Sequence, residues 1–331
     1  MRYRRLGRTG LKVSEVCLGT MTFAGQCDEA TSRAILDRAA ERGVDFIDCA
    51  DVYPIPPDIA TAGRSEEVIG RWLRDRADRD RFIVATKCRM KVGPGPNDEG
   101  LSRRHVIKAC EAGLKRLHVE TIDLYQVHSP DPETPIEETL RALDDLVRSG
   151  KVRYIGCSNF PAWLLALSVG VSAQEGLARF DSHQPRYNLL HREIEGELVP
   201  LCLDQGIGLI VYNPLAGGFL SGKHAKDRPP QPGTRFTMGE SGRLYRERYW
   251  QSSQFDAVAA LKAHCDARGL DMATVSVAWV LAQPGISSAI VGASRSDQLD
   301  ATLAAVDLTL EKEDLDVCES LWWDLPRRRV R

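Results

Sequence analysis

No stretch of this sequence is long and apolar enough to cross a bilayer. The longest mostly apolar run, residues 160–173, is interrupted by Pro161, Ser168, Gly170 and Ser172, and falls short of the roughly 20 apolar residues a transmembrane helix needs. Neither sign of charge dominates: 44 Lys and Arg stand against 46 Asp and Glu, a formal net charge of -2, so nucleic acid and membrane surfaces are not expected as partners. Aromatics make up only 7%, yet 43% hydrophobic and 27% charged residues exclude a disordered or fibrous chain. The nine cysteines form no CxxC pair and sit in or beside apolar runs, which gives no sign of a disulfide framework or a metal site. No apolar segment of the secretory kind follows the basic start Met1-Arg2-Tyr3-Arg4-Arg5-Leu6, so a cytoplasmic location is expected. No GxGxxG follows the first strand candidate, which weighs against an open dinucleotide-binding sheet.

What is present is alternation. Eight short β-branched runs, at residues 16–18, 46–48, 82–87, 122–128, 154–158, 180–184, 208–212 and 288–291, are separated by helix-periodic stretches. Ile136, Leu140, Leu143 and Val147 recur at helical spacing before Gly150, and Ile35, Leu36, Ala39 and Ala40 do so before Gly43. At 331 residues length alone suggests about two domains. Eight βα units without a compositional break instead predict one domain over 1–331, a closed (β/α)8 TIM barrel, with a doubly wound open sheet as the alternative. Residues 3–6 and 11–14 flank Gly7-Arg8-Thr9-Gly10 and read as a β-hairpin closing the bottom of the barrel. Residues 222–248, rich in Arg, Pro and Gly, read as a long functional loop on the C-terminal face.

Barrel enzymes carry their sites where strands end. The predicted ends are Gly19-Thr20, Asp48, Lys87, His128, Ser158-Asn159, Gln184, Tyr212 and Gly292. Each alone has an ordinary reading: a cap for Asp48, a surface charge for Lys87, a histidine under a loop for His128. Together they form a catalytic inventory, because a lysine closing the buried run Phe82-Ile83-Val84-Ala85-Thr86-Lys87 is costly without an acid, and Asp48 on the next strand supplies one. Tyr53, five positions on, reaches the same rim. An ammonium beside it is expected to lower its pKa and make it a general acid; as a bland alternative it is a rim aromatic.

These residues carry a resemblance. Asp48-Cys49-Ala50-Asp51-Val52-Tyr53, Lys87 at a strand end and Asp123-Leu124-Tyr125-Gln126-Val127-His128-Ser129-Pro130 resemble the aldo-keto reductase superfamily. So do Arg5-Leu6-Gly7-Arg8-Thr9-Gly10-Leu11, Gly63-Arg64-Ser65-Glu66-Glu67, Gly156-Cys157-Ser158-Asn159-Phe160 and Gly292-Ala293-Ser294 with Gln298-Leu299. The run from Gly19 to Gln26 and the Tyr212-to-Lys223 segment are most similar to bacterial reductases akin to potassium-channel β-subunits.

The resemblance implies a tetrad of Asp48, Tyr53, Lys87 and His128 that reduces an aldehyde or ketone with a nicotinamide cofactor. It implies that Ser158, Asn159 and Gln184 hold the nicotinamide amide and that Tyr212 stacks under the ring. Gly19, Thr20, Met21, Gln26, Asn213, Pro214, Leu215, Ala216, Gly218 and Gly292 would line the cofactor, and Lys223 and Arg235 would clasp its phosphates. Ser294, Arg295 and Gln298 would meet the adenosine 2′-phosphate, which favours NADPH over NADH.

Four residues depart from the family pattern. Cys49 replaces a usual Thr, Pro54 a common Gly, and Ala301 and Thr302 the Glu-Asn pair that grips adenine. Two other functions stay open: a nicotinamide-binding regulatory subunit with slow or no turnover, against which His128 speaks because that branch has an amide there, and a barrel hydrolase or isomerase using no dinucleotide. Monomer and homo-oligomer are equally open. The substrate is a small carbonyl compound whose identity rests on residues 21–26, 52–63, 90–100 and 129–133.

Overall fold

The structure, a computed structural model, describes residues 1–326. Eight parallel strands close into a barrel: β3 (Val16–Gly19), β4 (Phe46–Asp48), β5 (Ile83–Cys88), β6 (Ile122–Val127), β7 (Val152–Ser158), β8 (Ser182–Gln184), β9 (Gly208–Tyr212) and β10 (Ile286–Gly292). They neighbour one another in chain order, and β10 closes on β3. All eight expected strands are present and the open-sheet alternative falls away. Their ends shift by a few residues: β7 begins at Val152 and β10 at Ile286, because pairing with a neighbouring strand carries each beyond its β-branched run.

Helices cover the outside: α1 (Glu29–Glu41), α2 (Arg64–Arg74), α3 (Arg103–Leu117), α4 (Ile136–Arg148), α5 (Ala162–Glu175), α6 (Leu198–Gln205), α7 (Gly239–Tyr249), α8 (Ser252–Arg268), α9 (Met272–Ala282), α10 (Gln298–Ala304) and α11 (Lys312–Trp323). α4 shows the rule: Leu140, Leu143 and Leu146 face the core, Glu137 and Glu138 sit at its positive end, and Gly150 turns the chain out at φ 75°. No helix among the described residues is long and apolar enough to cross a membrane.

The bottom of the barrel is plugged as the hairpin reading requires. β1 (Tyr3–Arg5) pairs antiparallel with β2 (Lys12–Ser14), and Leu6 and Val13 join the inward residues Cys17, Phe46, Ala85, Leu124, Ile210 and Ile290 in one buried cluster. Gly7 is required there: its φ is 56°, and a Cβ would come within 2.4 Å of the Gly206 carbonyl oxygen.

The 222–248 segment needs correction. It is no plain loop: a 3-10 turn at Arg235–Thr237 and the α7 helix lie within it. Its arginines and glycines hide an aromatic interior, where Phe236 packs against Phe219, His224, Tyr245 and Trp250. That burial is the physical reason the segment folds.

Candidate active site

The centre of the barrel mouth is an ion pair. Lys87 is fully buried and Asp48 only 3% exposed, and the Lys87 ammonium donates to Asp48 Oδ2 at 2.6 Å and to the Cys49 carbonyl at 2.7 Å. Burial alone would lower the lysine's proton affinity, but the Asp48 charge more than offsets it and holds Lys87 above its ordinary pKa. Asp48 Oδ1 accepts from the Gln184 amide at 2.8 Å and the Gln126 amide at 3.3 Å. Every oxygen of the carboxylate is therefore occupied, which is what makes a charge tolerable at this depth.

Tyr53 sits over this pair, with the Lys87 ammonium 5.1 Å from its ring centroid, and its ring meets His128 edge-on at 5.9 Å between centroids. The expected lowering of its pKa does not occur in this state. Burial pushes the phenol up to about 12, with Lys87 pulling down and Asp48 pushing back: desolvation of the phenolate outweighs the ammonium, whose field Asp48 partly offsets. His128 follows β6, its backbone N–H bonded to the Cys88 carbonyl at 2.9 Å. Burial, then Lys87 and Arg89, lower its pKa to about 3, so the imidazole is neutral. Its Nδ1 is buried without a partner among the described residues.

The carboxamide set lies across the mouth. The Ser158 hydroxyl donates to the Gln184 carbonyl at 2.8 Å, and the Asn159 amide donates to Ser158 Oγ at 2.9 Å and to the His128 carbonyl at 3.0 Å. The Tyr212 hydroxyl donates to Asn159 Oδ1 at 2.9 Å. Thr20, by contrast, is fully buried and spends its hydroxyl on the Asp48 carbonyl at 2.9 Å; it braces β4 rather than facing the mouth. Gly19 keeps the rim open, since a Cβ there would strike Ile290 at 2.6 Å.

Beyond β9 the chain makes a cradle. Gly217 and Gly218 have φ 72° and 92°, and Asn213 Oδ1 accepts from the Gly217 N–H at 2.5 Å. Pro214 is buried, Leu215 half-buried and Ala216 buried. Lys223 and Arg235 close over this turn: a Cβ on Gly218 would lie 3.4 Å from the Lys223 ammonium, and one on Gly292 3.4 Å from the Arg235 guanidinium. Arg235 also touches the Met21 sulfur at 2.6 Å. Burial, Arg235 and Arg295 together lower the Lys223 pKa. Among the described residues neither Lys223 nor Arg235 has an ion-pair partner, a donor set that fits a ligand with several phosphates.

Further out, Gln298 Oε1 accepts from the Ser294 N–H at 2.9 Å. Arg295 is exposed and paired with Asp297 at 3.0 Å. Gln26 is exposed against Met238. These three lie on the rim and not in the core of the site.

Three residues escaped the sequence reading. Gln126 points inward with Leu124 and His128 by strand alternation, a signal that was available. Asp51 is buried with both carboxylate oxygens unpartnered among the described residues, and burial, with the charge of Glu66, raises its pKa well above the carboxylate range. Arg89 follows β5 with a φ of 128° and has no ion-pair partner among the described residues.

Residues 15–322 match the model of the aldo/keto reductase family. The chain belongs to this family. It is 37% identical to an uncharacterized oxidoreductase, YrpG, of Bacillus subtilis (strain 168), over 97% of this chain and 96% of that protein. It is 36% identical to a probable voltage-gated potassium channel subunit beta of Arabidopsis thaliana over 99% and 98%. It is 35% identical to a versiconal hemiacetal acetate reductase of Aspergillus parasiticus over 96% of each.

Proposed function

We propose that this aldo/keto reductase is one barrel domain that reduces an aldehyde or ketone to an alcohol with NADPH, and that Tyr53 is the proton donor. The observation that carries this reading is the convergence of Tyr53, the buried Asp48–Lys87 pair and neutral His128 on one rim. A reductase among its relatives supports it. Bound NADPH would supply a hydride to the carbonyl carbon. Ser158, Asn159 and Gln184 would hold the nicotinamide amide, Tyr212 would pack under the ring, and Lys223 and Arg235 would take the phosphates. Arg295, exchanging Asp297 for a 2′-phosphate, would set the preference over NADH.

The protein's own part is to supply and balance one proton. The Tyr53 hydroxyl, protonated at neutral pH, gives its proton to the carbonyl oxygen as that oxygen gains negative charge. The phenolate left behind lies beside the Lys87 ammonium, whose field is worth more once the mouth is dry. Solvent then returns the proton to Tyr53. His128, neutral, offers a hydrogen bond that orients the carbonyl without competing as an acid. A raised pKa suits this role: an alkoxide is a far stronger base than a phenolate, so the transfer stays downhill, and the phenol is fully protonated before each turnover.

A second reading, a nicotinamide-binding regulatory subunit, is favoured by the channel-subunit relative. One experiment separates them. NADPH and NADH are titrated by fluorescence, and a panel of aldehydes is followed at the nicotinamide absorbance band in the native chain and in Tyr53→Phe. The reductase reading expects tight NADPH binding in both and turnover only in the native chain. Turnover retained in Tyr53→Phe removes Tyr53 as the acid, and binding without turnover on any carbonyl transfers the weight to the regulatory reading.

A further inference from the structure

Arg89 stands directly after β5, two residues past Lys87 and one past Cys88, whose carbonyl holds the His128 backbone N–H. Its φ of 128° lies where side-chain-bearing residues rarely go, a conformation that persists only where surrounding structure enforces it. The enforcement is visible. The Gly100 N–H bonds the Arg89 carbonyl at 2.8 Å, and the loop between them is tied by Val92 N–H to the Asp98 carbonyl at 3.0 Å and by Gly95 N–H to the Asp98 carboxylate at 2.9 Å. A rigid loop thus fixes the Arg89 backbone at the C-terminal end of β5, beside the mouth.

Among the described residues that guanidinium is unmatched: its Nε is buried without a hydrogen-bond partner, and it makes no ion pair. The Arg89 charge does act on Asp131, but that carboxylate already accepts from the Leu101 N–H at 2.7 Å, the Thr134 hydroxyl at 2.7 Å and the Glu133 N–H at 3.1 Å. The other groups of the mouth leave no negative charge over: Lys87 and Asp48 cancel, and His128 and Tyr53 are neutral. A half-buried cation with free donors, close enough to depress His128, is a site for an anion that arrives with the substrate.

We propose that Arg89 is a specificity-determining residue that selects carbonyl substrates carrying an oxyanion, a carboxylate or a phosphate ester, and holds that group by paired hydrogen bonds while the carbonyl lies between Tyr53 and His128. This rests on the reductase reading and names the class of substrate within it. A neutral aldehyde would leave the guanidinium desolvated and unpaired, which is how the site discriminates.

The test uses matched pairs: 4-oxobutanoate against butanal, and dihydroxyacetone phosphate against dihydroxyacetone. kcat/KM is measured with NADPH for the native chain, Arg89→Met and Arg89→Lys. The same compounds are also titrated calorimetrically onto the protein without reduced cofactor. The native chain should prefer the anionic member of at least one pair by about 10- to 100-fold, the range that one charge-assisted contact supplies. The preference should fall toward unity in Arg89→Met and be partly kept in Arg89→Lys, which retains the charge but not the fork. Preference in the first pair alone assigns a carboxylate, in the second alone a phosphate. A native ratio near unity in both pairs, or a ratio that survives Arg89→Met, overturns the proposal. Should Arg89→Met fail to fold, an unreduced ratio in Arg89→Lys overturns it equally. Anion-selective binding without turnover keeps the Arg89 assignment while the reductase reading fails, so the two failures are distinguishable.

Discussion

Removing one partner of the Asp48–Lys87 pair should cost more stability than removing both. Asp48 is 3% and Lys87 0% exposed, and the ammonium has two acceptors, Asp48 Oδ2 at 2.6 Å and the Cys49 carbonyl at 2.7 Å. Lys87→Met leaves a carboxylate at that depth with only the Gln184 and Gln126 amides to answer it. Asp48→Asn leaves an ammonium with neutral acceptors. Breaking a buried pair from one side costs about 3–5 kcal/mol, mostly because the other charge is stranded. With an unfolding entropy of about 2.1 cal/mol/K per residue, this chain changes its Tm by about 1.5 °C per kcal/mol, so each single variant should melt about 4–7 °C lower. The double variant strands no charge and should melt above both singles, with a coupling energy of about 2 kcal/mol or more. Calorimetric or circular-dichroism melts of the four proteins measure it. Additive losses, or a double variant melting below both singles, would falsify the claim that the pair is held as ions. All three variants should also lose reduction, since Lys87 supports the phenolate; that loss does not bear on the coupling.

The phenol of Tyr53 should resist ionisation: in an ultraviolet titration of the cofactor-free chain, the difference between native and Tyr53→Phe should show no phenolate below about pH 11, given a pKa pushed to about 12. A one-tyrosine signal appearing near pH 9 would contradict the balance argued for the mouth. At the opposite end of the barrel, burial raises Asp181 to about 6 against its ordinary 3.8. The folded chain then holds that proton more tightly than the unfolded one, and stability falls as pH rises from about 4 to 6 and stays lowered above. Asp181→Asn should therefore raise Tm by about 3 °C at pH 8, for a relief of about 2 kcal/mol after allowing for partial exposure, and leave it unchanged at pH 4; a gain at both pH values would show that charge is not the cause. Arg235→Met should weaken NADPH by about tenfold or more in a fluorescence titration, and the salt dependence of binding should become shallower. Unchanged affinity would take Arg235 out of the phosphate clasp.

Much of the barrel was readable because most of its strands carry β-branched runs and several follow helices that end on a positive-φ glycine, at residues 43, 150, 176 and 206. The eight runs survive as eight strands, and the two glycines at residues 43 and 150 turn helices out at positive φ. The 222–248 segment was misread for a physical reason. Its helix is not held by an apolar stripe of its own but by Phe236, Trp250 and Phe219 meeting from three places in the chain, and no local pattern reports such a meeting. Thr20 was only partly legible: it follows a strand end as the others do, and its hydroxyl bonds the Asp48 carbonyl on β4, a direction that strand position alone does not give for a short side chain.

The tetrad shows where sequence reasoning about a site stops. Residue types at strand ends brought Asp48, Lys87 and His128 together in space, because closure of the barrel gathers the ends of β4, β5 and β6, which are neighbours, on one rim. The direction of the Tyr53 pKa was not recoverable that way. It depends on a competition between a lysine that favours phenolate and burial with Asp48 that opposes it, and that competition is decided by distances and depth. Arg89 is the same lesson from the other side. In sequence it is one arginine in a charged chain, one residue beyond a strand; only the finding that it is rigidly held, half-buried and unpaired turns it from a surface charge into an unmet demand for an anion, and an unmet demand beside a reactive centre is the form that substrate specificity takes before the substrate arrives.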